Sequence, residues 1–417
     1  MTSSTSTLQL RLTSALPFLR GEFSSVSPKL PSLISVLQSV GAGECWHKHG
    51  SFLVHLIEVY RILKLWSAPD DVALCGLFHS AYSNSYVNLA IFDPNTSRSY
   101  VSSLIGPQAE RLVHLFCVVN RQTLIHDDLL FNYRDQVQLM THLRLSEDSV
   151  RKGREKLEFD SEEEWRKKIN SVLPVDGVVV KNIKTGEDVK VSRRVVGTFL
   201  LMTMVDFSDQ LFGWQDQLFE NGNGLLEYAG NNPTAVWPGN GKPGLWLNSI
   251  SRMGAVYNLI AREEEIYMLE RNQNASKCDR DEDLELVIPP VFENCSRIIG
   301  TEEQMTSREL YWEAVCGGAE GVGERVEELL LRCIEKNPFV GEPRMVLAQV
   351  YLGKKRFEEA KMEAENGLRL LLEWGSSWDK RMAWEAWVAW GRVLIMKSKE
   401  KEWPQTAWGI LNLGLVN

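Results

Sequence analysis

The chain has 417 residues, which is enough for two or three domains, and its 44% hydrophobic and 24% charged residues are typical of a soluble globular protein. A net charge of −9 argues against a nucleic-acid-binding surface spread over the whole molecule. No window approaches the roughly eighteen uninterrupted apolar residues that a membrane span requires. The seven cysteines are scattered without a CxxC pair, which predicts reduced, mostly packing residues of an intracellular protein.

The first predicted elements are helices. Residues 5–45 give helical pieces interrupted by prolines. From Ser51 to Trp66 apolar residues cover nearly every face, which predicts a helix packed on several sides. Pro69 then introduces a second helix, predicted from Val72 to about Tyr82, because proline at a first helical position loses no hydrogen bond.

Histidines are concentrated in these two helices and just before them. His47, His49, His55 and His79 lie between Trp46 and Ser83, and the last 275 residues of the chain hold none. The predicted helices carry one histidine each, His55 and His79. Helical metal sites are usually built from this arrangement, and His49 is a neighbouring candidate ligand.

The following segment alternates between loop and helix. Residues 92–107 are polar and predict a loop, and 108–120 predict a helix. Arg121 is interpreted as a C-terminal helix cation, with contact to an anionic ligand as the alternative. His126 and Asp127 spell a His-Asp pair, but their polar surroundings favour the start of a helix over a second metal motif.

The middle of the chain contains one hairpin and one informative helix. Residues 142–170 predict a solvated, charged helix, and Val178–Val180 with Val189–Val191 predict a β-hairpin. Arg193–Phe212 predicts a helix in which Asp206 interrupts an apolar run. A buried carboxylate is costly without a partner, so Asp206 should face a metal or a histidine, and Asp209 one turn later could share that role.

Domain boundaries follow from composition. Residues 222–244 predict a covering loop, and 245–269 predict the last helix of a first domain. The polar segment 272–284 with prolines just after it predicts a boundary. We therefore expect a domain at 1–271, a linker at 272–305 and a second domain at 306–417.

The C-terminal region resembles tetratricopeptide repeats. Small and aromatic residues recur there at the spacing of paired helices, although the repeats are degenerate. Trp384, Trp387 and Trp390 recur every three residues on a helix. Aromatic packing between repeat helices is the favoured interpretation, and a stripe that anchors a protein partner is the alternative.

The histidine region also resembles a known superfamily. HLIEVYRIL followed by GLFHS is similar to the first two motifs of HD-domain metal-dependent phosphohydrolases. HKHGSFLVHL, LKLWSAPDDVALCGLFHSAYS and VDFSDQLFGWQD resemble an uncharacterised HD-like family in which His-Asp has become His-Ser. The resemblance covers about Leu16 to Gln217. It implies His55 and His79 as metal ligands, Asp206 as the last ligand, and Ser80 at the place of the usual Asp.

Ser80 leaves two expectations open for this region. A hydroxyl brings neither the charge nor the two oxygens of a carboxylate, so it should weaken binding of a hard cation. His55, His79 and Asp206 could still hold a divalent metal such as Mn, Fe, Mg or Zn in a two-His, one-carboxylate site. Alternatively, the helical bundle keeps its shape without a metal, with its histidines held by hydrogen bonds.

The predicted fold is all-α: an HD-like helical bundle with one small β-hairpin, followed by a TPR-like α-solenoid. The sequence favours a scaffold that binds a protein partner through its repeats, with a metal-dependent phosphohydrolase as the alternative. An iron-dependent oxygenase is allowed by ligand type alone. The Ser/Thr-rich start resembles an organelle presequence, but LPFLRGEF already resembles the HD-like domain, so cytoplasm is favoured over chloroplast or mitochondrion.

Overall fold

The computed structural model of the protein describes residues 2–47, 50–84, 90–93, 97–156, 158–210, 216, 219–220, 227–228, 241–271, 281–294, 297–317 and 324–413. Most of this part of the chain is helical, as predicted. None of the helices in the described ranges combines the length and apolar character needed to cross a bilayer. Candidate ligand His49 and most of the predicted loop 222–244 lie outside the described residues.

The α-helices follow in chain order. They are α1 (Thr2–Leu19), α2 (Phe23–Val26), α3 (Leu30–Ser39), α4 (Phe52–Leu65), α5 (Asp70–Leu77), α6 (Arg98–Ile105), α7 (Pro107–Val118), α8 (Gln136–Lys156), α9 (Glu164–Val172), α10 (Arg193–Gln210), α11 (Trp246–Arg271), α12 (Pro290–Asn294), α13 (Thr301–Cys316), α14 (Glu324–Lys336), α15 (Glu342–Gly353), α16 (Phe357–Trp374), α17 (Trp384–Glu400) and α18 (Ala407–Leu411). A π-helix (Gln122–Leu129) and a 3₁₀ helix (Leu130–Tyr133) connect α7 to α8.

Three two-stranded antiparallel sheets accompany the helices within the described residues. They are β1 (Trp46–His47) with β2 (Gly50–Ser51), β3 (Val178–Lys181) with β4 (Asp188–Val191), and β5 (Phe219–Glu220) with β6 (Glu227–Tyr228). The second of these is the predicted hairpin, with Val178 opposite Val191. The hairpin prediction is confirmed, and the other two pairs were not expected from the sequence.

The chain forms two compact units that do not follow each other in sequence. The first unit comprises Met1–Pro28, Leu211–Asn248 and Ile299–Asn417, and the second comprises Lys29–Gln210 and Ser249–Ile298. The predicted scheme of consecutive domains differs from this division, because 1–28 belongs with the C-terminal residues. Local patterns of apolar residues carry no information on such pairings between distant parts of the chain.

The second unit is built around α10. Every residue of this helix is buried, as expected for an apolar run that other elements cover on all sides. Helix α4 packs on α10 and on α5, and α7 packs on α5 and α6. The side chain of Ser51 caps α4 by accepting a hydrogen bond from the amide of Val54. These contacts hold α4 against α10.

The first unit is a succession of packed helices. Helices α13 and α14, α15 and α16, and α16 and α17 pack as neighbours along the chain. Gly341, just before α15, lies close to Gly367 of α16: a Cβ atom at Gly367 would lie 2.9 Å from the carbonyl oxygen of Gly341. Ala348, Ala360 and Ala364 are fully buried nearby in sequence. Small residues therefore allow these helix backbones to come close together.

Two sequence predictions near the histidines are wrong. The helix predicted from Val72 to about Tyr82 is α5, which ends at Leu77, so His79 lies in a turn after the helix. The predicted loop 92–107 contains α6, whose buried residues Val101 and Ile105 are one helical turn apart. Apolar residues continue past Leu77, so the hydrophobic pattern alone does not reveal the end of the helix.

Candidate metal centre

The candidate centre lies where α4 meets α10 in the second unit. Asp206, Asp209 and Gln210 are three and four residues apart, which places them on one face of α10. His55 projects from α4 toward that face and is 2% exposed. The predicted need of Asp206 for a partner is met, since His55 lies beside it.

His55 lies between two carboxylates. Its Nδ1 is 2.7 Å from Oδ2 of Asp209, and its Nε2 is 3.2 Å from Oδ1 of Asp206. A carboxylate can only accept, so Nδ1–H of His55 donates to Asp209. The Nε2 atom is buried and has no partner with hydrogen-bond geometry among the described residues. The contact with Asp206 is therefore one of charge rather than a well-formed hydrogen bond.

These carboxylates also control the charge of His55. Burial disfavours the imidazolium ion, but contact with Asp206 and Asp209 outweighs burial and raises the pKa of His55 to about 9. In the metal-free protein His55 is therefore protonated at neutral pH. The Nε2 proton is then the one that a metal ion would displace.

His79 is held in the opposite state. Its Nδ1 lies 2.7 Å from the carbonyl oxygen of Gly76, to which it can only donate. Burial, together with the positive charges of His55 and Arg121, lowers the pKa of His79 to about 3 despite attraction by Asp206. A neutral ring that is protonated at Nδ1 leaves the lone pair on Nε2. This is the tautomer that a metal-binding histidine adopts when its other nitrogen donates to a carbonyl group.

Ligand atoms of His55, His79 and Asp206 all lie within 4.8 Å of one another. The His55 and His79 rings meet edge to face, with centroids 5.2 Å apart. Metal–nitrogen and metal–oxygen bonds of about 2.1 Å place two ligand atoms at most about 4.2 Å apart. Small side-chain rotations would therefore bring all three atoms to one ion.

A second set of contacts surrounds Asp206. The side-chain amide of Gln210 donates to Oδ1 of Asp206 over 2.5 Å. Its oxygen is then the group that faces Nε2 of His47 at 3.0 Å, so His47 donates. Neither contact was predicted from the sequence. Gln210 follows Asp206 by four residues, a spacing that would have identified it as a neighbour on the helix.

Ser80 is joined to a buried cation. Arg121 is fully buried, lies 3.7 Å from the centroid of Phe116, and donates to Oδ1 of Asn84 over 2.8 Å. The amide nitrogen of Asn84 donates to Oγ of Ser80 over 2.7 Å. Arg121 was interpreted as an ordinary C-terminal helix cation, but α7 ends at Val118 and the guanidinium group of Arg121 is buried inside the unit. The contact of Arg121 with Asn84, 37 residues earlier in the chain, was not predicted from the sequence.

The other candidate residues lie apart from this centre. His126 is buried in the π-helix and stacks on Phe207, and it is absent from the grouped metal-ligand atoms of the described residues. In the first unit, Trp384 and Trp387 are buried and donate through Nε1 to the carbonyl oxygens of Leu371 and Asp379. These two indoles pack as the favoured interpretation predicts, so they are not available as an exposed stripe.

Trp390 is the remaining residue of the tryptophan series. It is half-buried, and its ring contacts that of Trp403 edge to face with centroids 6.2 Å apart. A role in binding a partner therefore remains a prediction for Trp390 alone.

The fold and the centre together define a helical unit with a buried group of two histidines and one aspartate. A family model described as "Domain of unknown function (DUF6817)" matches residues 36–121. The matched residues include His55, His79 and Ser80, whereas Asp206 and Asp209 lie outside them. No curated protein and no solved structure matches the chain.

Proposed function

We propose that the second unit binds a divalent metal ion through His55, His79 and Asp206 and is a metal-dependent phosphohydrolase of the HD-like kind. One observation supports this proposal above all. Three buried side chains from separate parts of the chain direct ligand atoms to one point, with the atoms within 4.8 Å of one another. The hydrogen-bond partners of the His55 and His79 rings are also those expected of metal-binding histidines.

Both histidines can offer Nε2 to a metal ion, and His55 must first release the Nε2 proton that it carries at neutral pH. His79 keeps a lone pair on Nε2, and His55 has a buried Nε2 without a hydrogen bond in the described residues. Asp209 receives Nδ1–H of His55 at 2.7 Å, which is the usual relation of an outer carboxylate to a metal-binding histidine. Gln210 restrains Asp206 in the same way.

The ligand types narrow the choice of metal. Imidazole nitrogen suits Zn and Fe, whereas Mg prefers oxygen ligands and nearly ideal octahedral geometry. Ser80 contributes no charge where HD-domain phosphohydrolases carry an Asp, which lowers the attraction for hard cations further. We therefore favour Zn or Fe over Mn and Mg. When bound, such an ion would supply Lewis acidity that activates water and polarises a phosphoryl oxygen.

The charges near Ser80, on one side of the centre, favour an anionic substrate. Arg121 places a buried positive charge beside Asn84, which in turn contacts Ser80 next to His79. With Ser80 in place of a carboxylate, this side of the centre has one negative charge fewer and a guanidinium group nearby. A phosphoester is an anionic substrate of the class that such a field attracts.

The test is phosphate release by the full-length protein loaded with Zn or Fe. Substrates are p-nitrophenyl phosphate and a panel of nucleoside monophosphates, beside His79→Ala and Asp206→Asn as site variants. Asp188→Asn, on the exposed hairpin, is the matched control for loss of one carboxylate. Activity that persists in the control and disappears in both site variants supports the proposal. A metal-loaded protein that releases no more phosphate than His79→Ala refutes the hydrolase and leaves the metal site standing.

A protein-binding scaffold is the second candidate, and the first unit supports it. Consecutive helices α13 to α17 pack in pairs, and Gly341 and Gly367 allow α15 and α16 to approach closely. Such packing is what tetratricopeptide-like repeats use to build a binding surface. The two candidates differ in their dependence on the metal ligands. A scaffold does not need them, so it should bind its partner equally well in wild-type protein and in His79→Ala.

A further inference from the structure

A cavity of about 560 Å³ opens in the first unit, far along the chain from the metal ligands. It is formed where the turn between α15 and α16 meets the end of α17 and the segment after it. We call it the C-terminal basic cavity, and define it by Lys355, Phe357, Lys397, Lys401 and Trp403. Its volume lies in the range of sites that hold a small ligand or part of a peptide.

The cavity is basic although the protein is acidic. The whole chain carries 55 acidic against 46 basic residues, whereas three lysines and one acidic residue, Glu402, line this cavity. Lys397 forms an ion pair with Glu400 at 2.6 Å. Lys355 and Lys401 form no ion pair with any residue that the structure describes. Two ammonium groups therefore remain to attract an anion.

Both of these lysines occupy unusual backbone positions. Lys355 has φ of 61° and Lys401 has φ of 57°, in the left-handed region where glycine is the less strained residue. A cation near the end of a helix is favourable in itself, which explains part of the charge. This favourable interaction with a helix end does not explain why a lysine, rather than a glycine, takes the left-handed conformation at both helix ends beside one cavity.

Aromatic and apolar groups form the rest of the wall. Trp403 lines the cavity together with Phe357 and Pro404. The Trp403 ring is held by Trp390, with centroids 6.2 Å apart. A simple inorganic anion would gain nothing from such a wall, whereas a peptide with an apolar side chain would bury it there.

We propose that the C-terminal basic cavity binds an acidic peptide segment that carries an apolar side chain. Lys355 and Lys401 contact its carboxylates, and Trp403 and Phe357 cover its apolar side chain. Trp390 acts as a positioning residue that supports the Trp403 ring. This site is independent of the metal centre and of the hydrolase.

The experiment measures fluorescence anisotropy of a fluorescein-labelled peptide, Glu-Glu-Leu-Glu-Leu-Glu, with the full-length protein at an ionic strength of about 0.1 M. A second peptide has glutamine in place of every glutamate. The site variant is Lys355→Glu with Lys401→Glu. The control variant is Lys29→Glu with Lys190→Glu, which makes the same change of charge at two exposed lysines outside the cavity.

We expect the acidic peptide to bind, and the site variant to lose affinity by about tenfold or more because attraction becomes repulsion. The control variant should stay within about twofold, because neither lysine lines the cavity and salt screens charges beyond about 10 Å. Trp403→Leu, which keeps the lysines, should weaken binding of the acidic peptide as well. Failure of the acidic peptide to bind, equal binding of the glutamine peptide, or equal loss in both double variants would overturn the proposal.

Discussion

His79 donates from Nδ1 to the carbonyl oxygen of Gly76 over 2.7 Å, across the turn that ends α5. Because the carbonyl oxygen can only accept, this bond fixes the tautomer of the ring. The Nε2 lone pair is thereby directed to the centre shared with His55 and Asp206. The end of a helix thus prepares a potential ligand before any ion binds.

Asp209→Asn tests the outer carboxylate. An amide oxygen still accepts a hydrogen bond from Nδ1 of His55, but it lacks the charge that makes the ring a stronger ligand. We expect metal affinity to fall by about 10- to 100-fold, measured by competition with a chromogenic chelator. Asp188→Asn on the exposed hairpin serves as the control and should bind like wild type. Unchanged affinity in Asp209→Asn would show that Asp209 has no part in the site.

Ser80→Asp places a carboxylate at the position that carries Asp in HD-domain phosphohydrolases, which the histidine region resembles. Asn84 can donate to a carboxylate as it does to Oγ of Ser80, so the surrounding hydrogen bonds can persist. We expect Mn affinity to rise by about tenfold or more, because a charged oxygen ligand suits this ion. Ser80→Asn has a similar size without the charge and should show no such gain. Equal Mn affinity in the two variants would contradict the assigned place of Ser80 at the metal.

The acid response of the metal-free protein should depend on His79. Its pKa is near 3 when folded and near 6.5 when unfolded, so the unfolded chain binds the proton first. The free energy of unfolding should therefore fall as pH drops from about 6.5 to 3, by up to about 1.4 kcal/mol per pH unit. Urea unfolding at several pH values measures this slope, and His79→Gln should reduce it. An unchanged slope in His79→Gln would mean that His79 titrates normally.

Substitution of Trp384 and of Trp408 compares a buried with an exposed tryptophan of the first unit. Trp384 is buried and donates through Nε1 to Leu371, whereas Trp408 is 74% exposed. We expect Trp384→Ala to destabilise this unit by about 3 kcal/mol and Trp408→Ala by less than about 0.5 kcal/mol. Differential scanning calorimetry of the full chain can compare them. Similar transitions in both variants would contradict the buried role of Trp384.

Sequence patterns predicted α4 and α10 well because most residues of α4 and all residues of α10 are buried, so apolar residues recur on several faces of each helix. The same continuity hid the end of α5, since the residues after Leu77 are buried as well. Asp206 was identified because a carboxylate in an apolar run needs a partner. Ser80 and Asn84 are four residues apart, but the contact of Asn84 with Arg121 joins residues 37 positions apart, which no local pattern encodes.

The metal content of the purified, tag-free protein tests the central claim most directly. Wild type, His79→Ala and Asp206→Asn are compared by elemental analysis, both as purified and after incubation with Zn, Fe or Mn, and circular dichroism verifies that each is folded. The account predicts about one metal ion per chain in wild type and its loss in both folded variants. Wild-type protein that stays metal-free after incubation, or variants that retain the same metal, would contradict it.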